Sequence, residues 1–508
     1  MEPVADDRPN ILLITSDQQH WSAMGALNPD LQTPALDRLC AEGARFDRAY
    51  CANPVCSPSR SSIITGLYPS VHGCWSIGVK LPEDVPTVAG LLTARGYATA
   101  LFGKAHFQPL ASFPGSESLE CQPVLRDLDF WRRFHGPWYG FQHVEVARNH
   151  GDESHAGQHY AVWLEDNGVA DWRSYFRSPP GQENRHRTPR RWSWDLPQQY
   201  HYSAWTAERT IAWLRGKIAA GQPFFAWASF QDPHPPYLVS APWDTLYDPS
   251  LMRPGHAVPG EHARNPVHFQ LTQDARPDFS RWREGFGVTG LHSHLQSEDE
   301  LRHDMAVYFG MISLMDHHIG RILDSLDALG VSDRTMVVFT TDHGHFLGQH
   351  GLIRKGPFHY EDMIRIPFLV RYPGVVPRHH TTDSLVSLVD LAPTFLRVAG
   401  VPVPGWMQGV DQIPALSGER SVREHVLVEN RCLPTRLNLR TYVTARHKLT
   451  LYANGDSGEL FDLEHDPAEV HNLWDDPGLA ALRMTLIQQM MQATMRIEPT
   501  RMPRVSGA

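Results

Sequence analysis

The sequence is poor in cysteine, in net positive charge and in long hydrophobic runs. Its 508 residues include six cysteines, none with the close spacing of a metal site: Cys40, Cys51, Cys56, Cys74, Cys121 and Cys432. No basic and apolar leader precedes the first apolar run, so we expect reduced thiols and a cytoplasmic location. No apolar stretch approaches the roughly 20 residues that cross a bilayer, so we expect no membrane partner. The net charge of −10 argues against a general nucleic-acid binder, because affinity for phosphates depends on lysine and arginine.

What is present is the pattern of an α/β protein, with 42% hydrophobic and 20% charged residues. The run NILLITS at residues 10–16 predicts a buried parallel strand, and PALDRLCAE has helical spacing with a stop at Gly43. Further strands are predicted by PFFAWAS, by TMVVFTT and by residues 366–371 (IPFLVR), and an amphipathic helix by residues 305–329. Strands that alternate with helices predict a doubly wound, largely parallel sheet.

Two stretches interrupt this alternation, near residues 110–200 and 250–295. We expect surface insertions with irregular loops there, or alternatively a wall or lid over a substrate pocket. From residue 425 the pattern changes to short strands followed by a helix near 477–496. We therefore divide the chain into a main α/β domain, 1–424, and a smaller C-terminal α+β subdomain with a tail, 425–508. The tail has little apolar surface to bury by itself, so it could pack on a neighbouring subunit of a homo-oligomer.

Polar residues follow the predicted strands. Asp17, Lys104, His234 and Asp342 each come just after one, and ligands of α/β sheets bind at the carboxyl ends of the strands. Two carboxylates, with Gln18 beside the first, would supply the oxygen ligands that a hard divalent cation prefers. Taken alone, an Asp-Gln pair is more often a strand-end turn, and a single lysine or histidine is more often a solvated side chain.

The segment CSPSR at residues 56–60 is the most specific motif of the chain. Its C-x-P-x-R pattern resembles the modification signature of type I sulfatases, in which a maturation enzyme oxidises the cysteine to formylglycine. Other segments resemble the same family, in the expected order: NILLITSDQQ, GYATALFGKAHF, QDPHPPY, FTTDHG, GLIRKGPFHYED and GELFDLEHDPAEVHNL. The resemblance extends from Asn10 to about Trp474 and therefore covers the whole fold.

This resemblance implies an alkaline-phosphatase-like fold, in which helices sandwich a mixed, largely parallel sheet and a smaller α+β subdomain follows. It implies one divalent metal ion (Ca²⁺, Mg²⁺ or Mn²⁺) whose ligands are Asp17, Gln18, Cys56 in its formylglycine form, Asp342 and His343. The formylglycine hydrate is the nucleophile in this family, whereas a plain thiol would need activation. The implied partners are a small-molecule sulfate ester and a formylglycine-generating maturation enzyme.

The resemblance also implies catalytic roles. Arg60, one helical turn beyond the modified residue, would orient the hydrate. Lys104 would bind a sulfate oxygen, and His106 would take the proton during sulfate elimination. His234 would contact and protonate the leaving oxygen with the help of Lys355. The expected substrate-binding set is therefore Lys104, His234 and Lys355.

Two of the implied metal ligands differ from the commonest version of the family. That version has Asp-Asp and Asp-Asn where this chain has Asp17-Gln18 and Asp342-His343. The Gln/His version occurs in a bacterial branch that includes phosphonate monoester hydrolases. Imidazole tolerates Mn²⁺ or Zn²⁺ better than Ca²⁺, which leaves the identity of the metal open. That branch, however, tends to carry neutral hydroxyl residues in the segment where this chain has Lys104 and His106.

These features predict a sulfuric ester hydrolase, an arylsulfatase-like enzyme that cleaves a sulfate monoester to an alcohol and inorganic sulfate. The alternative with the same machinery is a phosphonate monoester or phosphodiester hydrolase. An alternative from another class is a non-catalytic anion-binding protein, which would require Cys56 to remain unmodified.

Overall fold

The computed structural model describes residues 8–148, 151–177, 194–280, 296–432, 437–453, 455 and 457–499. Its strands, in chain order, are β1 Asn10–Ser16, β2 Ala44–Phe46, β3 Ala49–Tyr50, β4 Ala98–Gly103, β5 His143–Val146, β6 Phe224–Ser229, β7 Thr335–Thr341, β8 Phe346–Leu347, β9 Ile353–Arg354, β10 Arg365–Ile366, β11 Phe368–Arg371, β12 His380–Thr382, β13 Val386–Ser387, β14 His425–Cys432, β15 Leu437–Thr444, β16 His447–Tyr452 and β17 Gly458–Asp462. Its α-helices are α1 Pro34–Glu42, α2 Cys56–Thr65, α3 Pro69–His72, α4 Val88–Thr93, α5 Leu128–Arg133, α6 Gln158–Asp166, α7 Tyr202–Ala219, α8 Val267–Leu271, α9 Glu298–Ala328, α10 Glu361–Ile364, α11 Leu391–Val398, α12 Ile413–Leu416 and α13 Ala480–Arg496.

An eight-stranded sheet in the order β12-β2-β11-β7-β1-β6-β4-β5 forms the centre of the fold. The strands from β7 to β5 run parallel, whereas β11 is antiparallel to both of its neighbours. The strand predicted over residues 366–371 is split at Pro367, so that β10 pairs with β3 in a separate small sheet. Proline has no N–H for a sheet ladder, which accounts for the break.

Both faces of the central sheet are buried. Along β1, Ile11 and Leu13 belong to one core cluster, and Leu12 and Ile14 belong to the other. This alternation follows from the two-residue period of a strand. Helices α2, α4 and α11 pack on the first face, and α1, α7 and α9 pack on the second. The prediction of a mixed, largely parallel sheet between helical layers is therefore confirmed.

The longest helix, α9, begins seven residues earlier than the apolar pattern predicts. It starts at Glu298 because Ser297 and Glu300 form a reciprocal capping box, in which each side chain accepts the other residue's N–H. The first turn is acidic and carries little apolar signal, so the periodicity from residue 305 onward does not reveal it. Within the described residues, no helix combines the length and the apolarity that crossing a membrane requires.

The stretch near residues 110–200 contributes to the core of the protein. Strand β5 lies within it and pairs in parallel with β4 as the edge strand of the central sheet. Val144 and Val146 are buried in the same core cluster as Phe107 and Trp227. The expectation of irregular surface loops is therefore wrong for residues 143–146, because a four-residue strand surrounded by Trp, His and Pro carries too short an alternation to stand out. Residues 178–193 and 281–295 of the two stretches lie outside the described residues.

The C-terminal part contains an antiparallel sheet in the order β14-β15-β16-β17. Leu427 and Leu449 of this sheet pack against Leu486 and Met490 of α13. The main chain of Glu429 donates to the carbonyl oxygen of Ala52, four residues before Cys56, which ties this sheet to the main domain. The last residues of the predicted tail, 500–508, lie outside the described range.

Candidate active site

Four buried side chains meet at the carboxyl edge of the central sheet. Asp17 follows β1, and Asp342 and His343 follow β7, its parallel neighbour. Cys56 is the first residue of α2. One ligand atom from each of these residues lies within 4.8 Å of the others, and all four are buried. Parallel strands end at the same edge, so residues hundreds of positions apart come together there.

Hydrogen bonds fix the side chains of Gln18 and His343. Gln18 Nε2 donates to His345 Nδ1 at 2.8 Å, which leaves its Oε1 buried and without a hydrogen-bond partner among the described residues. His343 Nδ1 donates to the carbonyl oxygen of Gly344 at 2.9 Å, which leaves the lone pair on Nε2. Burial lowers the pKa of His343 to about 4, so this ring is neutral at pH 7. An amide oxygen, an imidazole nitrogen and two carboxylates form a donor set that fits a divalent cation.

Arg60 joins the two carboxylates of this site. Its fully buried guanidinium donates from Nε to Asp342 Oδ2 at 2.9 Å and from Nη2 to Asp17 Oδ2 at 3.3 Å, and Lys104 Nζ also contacts Asp17 Oδ2. Burial alone would raise the pKa of Asp17, but neighbouring cations, Lys104 first, hold it well below its usual value. In the structure these hydrogen bonds join Asp17 to Asp342 through Arg60, and the role of Arg60 in orienting a modified residue 56 stays a prediction.

The Cys56 thiol lies among these charges. Its Sγ is 3.1 Å from Lys355 Nζ, 3.2 Å from His343 Nε2 and 3.6 Å from Asp17 Oδ1. Burial and the Asp17 carboxylate raise the pKa of this thiol to about 11 despite the nearby lysines. The unmodified side chain is therefore neutral at pH 7, and a neutral thiol is a poor nucleophile and a poor metal ligand.

His234 and Lys355 form a pair at the mouth of the site, where both are half-buried. Lys355 Nζ lies 3.3 Å from His234 Nε2, while His234 Nδ1 donates to the carbonyl oxygen of Pro235. Burial and the charge of Lys355 hold the pKa of His234 well below its usual value. Burial also disfavours a charged Lys355, but Cys56 and Asp17 outweigh it and raise its pKa. The shared proton therefore resides on Lys355, and His234 accepts the hydrogen bond.

Comparison with known families identifies the chain. A family model described as "Sulfatase" matches residues 9–401. This chain belongs to the sulfatase family. A second model, described as "N-sulphoglucosamine sulphohydrolase, C-terminal", matches residues 348–496 and extends the match through α13.

Individual relatives match this sulfatase over most of their length. The uncharacterized sulfatase YidJ of Escherichia coli is 28% identical over 480 residues, covering 94% of this chain and 85% of the relative. A choline-sulfatase of Rhizobium meliloti is 29% identical over 485 residues, covering 92% and 83%. Among solved structures, a phosphonate monoester hydrolase of Agrobacterium radiobacter matches with a TM-score of 0.78 at 24% identity, covering 97% of this chain and 96% of the other. That last likeness shows a shared fold.

The sulfatase site brings together most of the residues singled out from the sequence. Direct contacts connect Asp17, Gln18, Cys56, Arg60, Lys104, His234, Asp342, His343 and Lys355. His106 lies in the loop after β4 with a left-handed backbone, φ 57°, which turns it out of the strand direction as its spacing from Lys104 requires. Burial and the positive charges of Arg148 and Lys104 hold the pKa of His106 well below its usual value, so its ring is neutral.

Three further residues of the site were missed by the sequence analysis. His345 orients Gln18, and Glu120 accepts the main-chain N–H of His106 at 2.9 Å. Arg148 follows β5, just as Asp17 follows β1. The same rule of strand ends would have selected Arg148 if β5 had been recognised as a core strand. Nothing in the sequence signals Glu120, because its partner is a backbone amide.

A second buried ionic network lies close to the site and gives the sulfatase a titratable contribution to stability. His350 Nδ1 is 3.0 Å from Glu261 Oε2, its Nε2 is 3.6 Å from Asp362 Oδ2, and its ring stacks on Tyr360 with centroids 3.6 Å apart. Burial alone would lower the pKa of His350, but the two carboxylates raise it to about 9. The imidazolium is therefore favoured in the folded protein.

Because the folded pKa of about 9 exceeds the unfolded value of 6.5, His350 stabilises the fold fully below pH 6.5, and this contribution is lost as the pH rises through 9. Between pH 6 and pH 9.5, we expect the free energy of unfolding of the parent protein to fall by about 2–3 kcal/mol more than that of H350Q. Urea unfolding at pH 6 and pH 9.5 measures this. The variant H471Q, at an exposed histidine, should follow the parent protein. Parallel curves for the parent and H350Q would contradict the assignment.

Proposed function

We propose that this sulfatase hydrolyses a sulfate monoester to an alcohol and inorganic sulfate, with residue 56 in its formylglycine form. The observation that carries the proposal is the arrangement of charge around Cys56. Two carboxylates and a neutral imidazole lie around its thiol, and two cations lie among them, Lys104 against Asp17 and Lys355 against the sulfur. An anionic ester needs cationic donors around its oxygens and a charged nucleophile beneath it. The choline-sulfatase relative supports a sulfate ester as the substrate class.

Asp17, Gln18, Asp342 and His343 would hold the divalent cation. When bound, such an ion lowers the pKa of a hydroxyl ligand and neutralises charge on the ester oxygens. Arg60 keeps the two carboxylates at a fixed separation through its hydrogen bonds to both. Among the described residues Gln18 Oε1 has no hydrogen-bond partner and His343 Nε2 is unprotonated, and hydrogen bonds already fix both side chains, so metal binding would need little reorganisation of them. Which divalent ion occupies the site stays open among Ca²⁺, Mg²⁺, Mn²⁺ and Zn²⁺.

The chain's own side chains have distinct tasks in this proposal. Lys104 and Lys355 bind oxygens of the sulfate group. His106 is neutral and can take a proton from residue 56. The pair His234 and Lys355 delivers a proton to the leaving alcohol, with the proton initially on Lys355.

Oxidation of Cys56 would have to occur before the chain folds. The segment from Cys56 to Arg60 is buried throughout, and the thiol is fully inaccessible. A maturation enzyme must therefore bind the CSPSR segment in an extended, unfolded chain. This enzyme, a cytoplasmic location and a homo-oligomer remain predictions from the sequence.

Hydrolysis of a phosphonate monoester is the second candidate, favoured by the Gln18 and His343 ligand set. The kinetic comparison that decides is kcat/KM for an aryl sulfate and an aryl phosphonate monoester on one preparation. We expect a preference for sulfate of at least about tenfold, or 1.4 kcal/mol in transition-state stabilisation. A preference for phosphonate would overturn the ranking.

The variant K104T tests the reason for that preference. Removing one buried cationic donor is expected to lower kcat/KM for the sulfate about 100-fold, and to lower phosphonate turnover less. K80T, which removes a lysine that pairs with Glu83 at the surface, is the matched control and should leave both rates unchanged.

A further inference from the structure

Acidic and basic side chains follow different strands at the carboxyl edge of the central sheet. The acidic metal ligands follow β7 and β1, whereas Lys104 follows β4 and Arg148 follows β5. The main chain of Ala147 donates to the carbonyl oxygen of Gly103 at 2.9 Å, so the two strand ends are in register. Arg148 therefore lies one strand spacing, about 4.8 Å, beyond Lys104 on the side away from the metal ligands.

The guanidinium of Arg148 is buried but poorly satisfied. The residue is 3% exposed, and its Nη1 donates to the carbonyl oxygen of Gln108 at 2.7 Å. Its Nε is buried with no hydrogen-bond partner in the described parts of the chain. The nearest carboxylate, Glu120, is 3.6 Å away, and its two oxygens already accept the N–H groups of His106 and Gln108. A buried guanidinium left in this state is costly unless an anion completes its hydrogen bonds.

A second buried donor without a partner among the described residues belongs to Gln158, which contacts the main chain of Arg148. Gln158, the first residue of α6, accepts the main-chain N–H of Arg148 at 2.7 Å through Oε1. The amide hydrogens on its Nε2 are buried and have no partner in the described residues. A fixed positive charge and an amide donor on two residues in contact suit a carboxylate or sulfate group, which accepts several charge-assisted hydrogen bonds at once.

Arg148 is connected to the reaction centre through one residue, Glu120. Glu120 links Arg148 to the loop that carries His106. After burial, the charge of Arg148 is the strongest influence that lowers the pKa of His106, ahead of Lys104. Lys104 and Arg148 follow neighbouring paired strands, so a substrate whose sulfate contacts Lys104 would need only the length of a small molecule to reach Arg148.

We propose that Arg148 and Gln158 form a second anion-binding subsite, and that the preferred substrate is a sulfate ester whose alcohol carries a carboxylate or a second sulfate group. This inference rests on the proposed function, since it names the substrate class of the same site. The subsite selects among esters and takes no part in bond breaking.

Three substrates test the proposal: para-nitrophenyl sulfate, an aryl sulfate that bears a carboxylate, and an aryl ester with two sulfates. We expect the parent protein to prefer one of the two doubly charged esters over the first by about tenfold or more in kcat/KM, and the better of the two identifies the group. In R148Q this preference should fall about 10- to 100-fold, mainly through KM, because only the doubly charged esters carry the group that Arg148 would bind.

Two more variants separate charge recognition from support of the loop. R148K keeps the charge and should retain part of the preference, and Q158E should abolish it by placing a carboxylate in the subsite. R209Q is the matched control, because Arg209 pairs with Glu145 on β5 and lies outside the proposed subsite. Equal losses on all three substrates in R148Q, or equal behaviour of R148Q and R148K, would overturn the proposal.

A binding measurement keeps the test independent of turnover. Calorimetry compares sulfobenzoate, which carries a sulfonate and a carboxylate, with benzenesulfonate. We expect the parent protein to bind sulfobenzoate about tenfold more tightly, and R148Q to bind the two alike. If no sulfate ester is turned over, the proposed function fails, and this ratio alone then decides for or against the subsite.

Discussion

Replacement of Cys56 by alanine is expected to lower kcat/KM for an aryl sulfate at least about 10⁴-fold, or about 5 kcal/mol of transition-state stabilisation. The methyl group cannot be converted to formylglycine and offers no nucleophile. Arg60, Asp17 and Asp342 keep their mutual contacts, because none of these hydrogen bonds involves Sγ. The variant should therefore fold like the parent protein.

Kinetics and mass spectrometry together measure this effect. The peptide that contains residue 56 should be lighter in active parent protein, because oxygen replaces sulfur and two hydrogens are lost on conversion to formylglycine. C40A is the matched control, since Cys40 is a free thiol on α1 that makes no contact with the described site. An intact thiol in fully active protein would contradict the assignment of residue 56.

The buried position of the segment adds a condition to this experiment. Because Cys56 is inaccessible in the fold, protein purified as the thiol should remain inactive when a maturation enzyme is added to the native state. The same protein should gain activity when it is unfolded, treated and refolded. Activation of the native thiol form would show that α2 opens readily.

Removal of one metal ligand should have the second largest effect. D342N is expected to lower kcat/KM about 10³-fold, because it removes a negative charge from the cation site while it preserves the shape of the side chain. It also leaves the buried guanidinium of Arg60 with a single carboxylate, Asp17. The loss of one buried partner should reduce thermal stability as well.

Activity and metal content per chain, measured on the same samples, test this prediction. Exhaustive chelation of the parent protein should abolish turnover, and stepwise addition of Ca²⁺, Mg²⁺, Mn²⁺ or Zn²⁺ should identify the ion that restores it. D324N is the control, since the Asp324 side chain is 77% exposed on α9. Full activity after chelation, or a normal metal content in D342N, would refute the assigned ligand roles.

The sequence by itself determined the positions from which this site is built. Asp17, Lys104 and Asp342 were located because each follows a continuous apolar run, and such runs predict buried parallel strands that end at one edge. The CSPSR segment determined the residue at the start of α2. These are local signals, carried by fewer than about ten consecutive residues, and they do not depend on which strands become neighbours.

Only the tertiary structure decided the partners of those residues. The contacts of Arg60 with Asp342 and of Lys355 with Cys56 join residues 282 and 299 positions apart. The location of the proton on Lys355 and the neutral state of the Cys56 thiol follow from burial next to particular charges. The position of Arg148 depends on β5, a strand too short for its pattern to reveal. Strand order and desolvation are properties of the assembled fold, because they arise from contacts between segments that are distant in the chain.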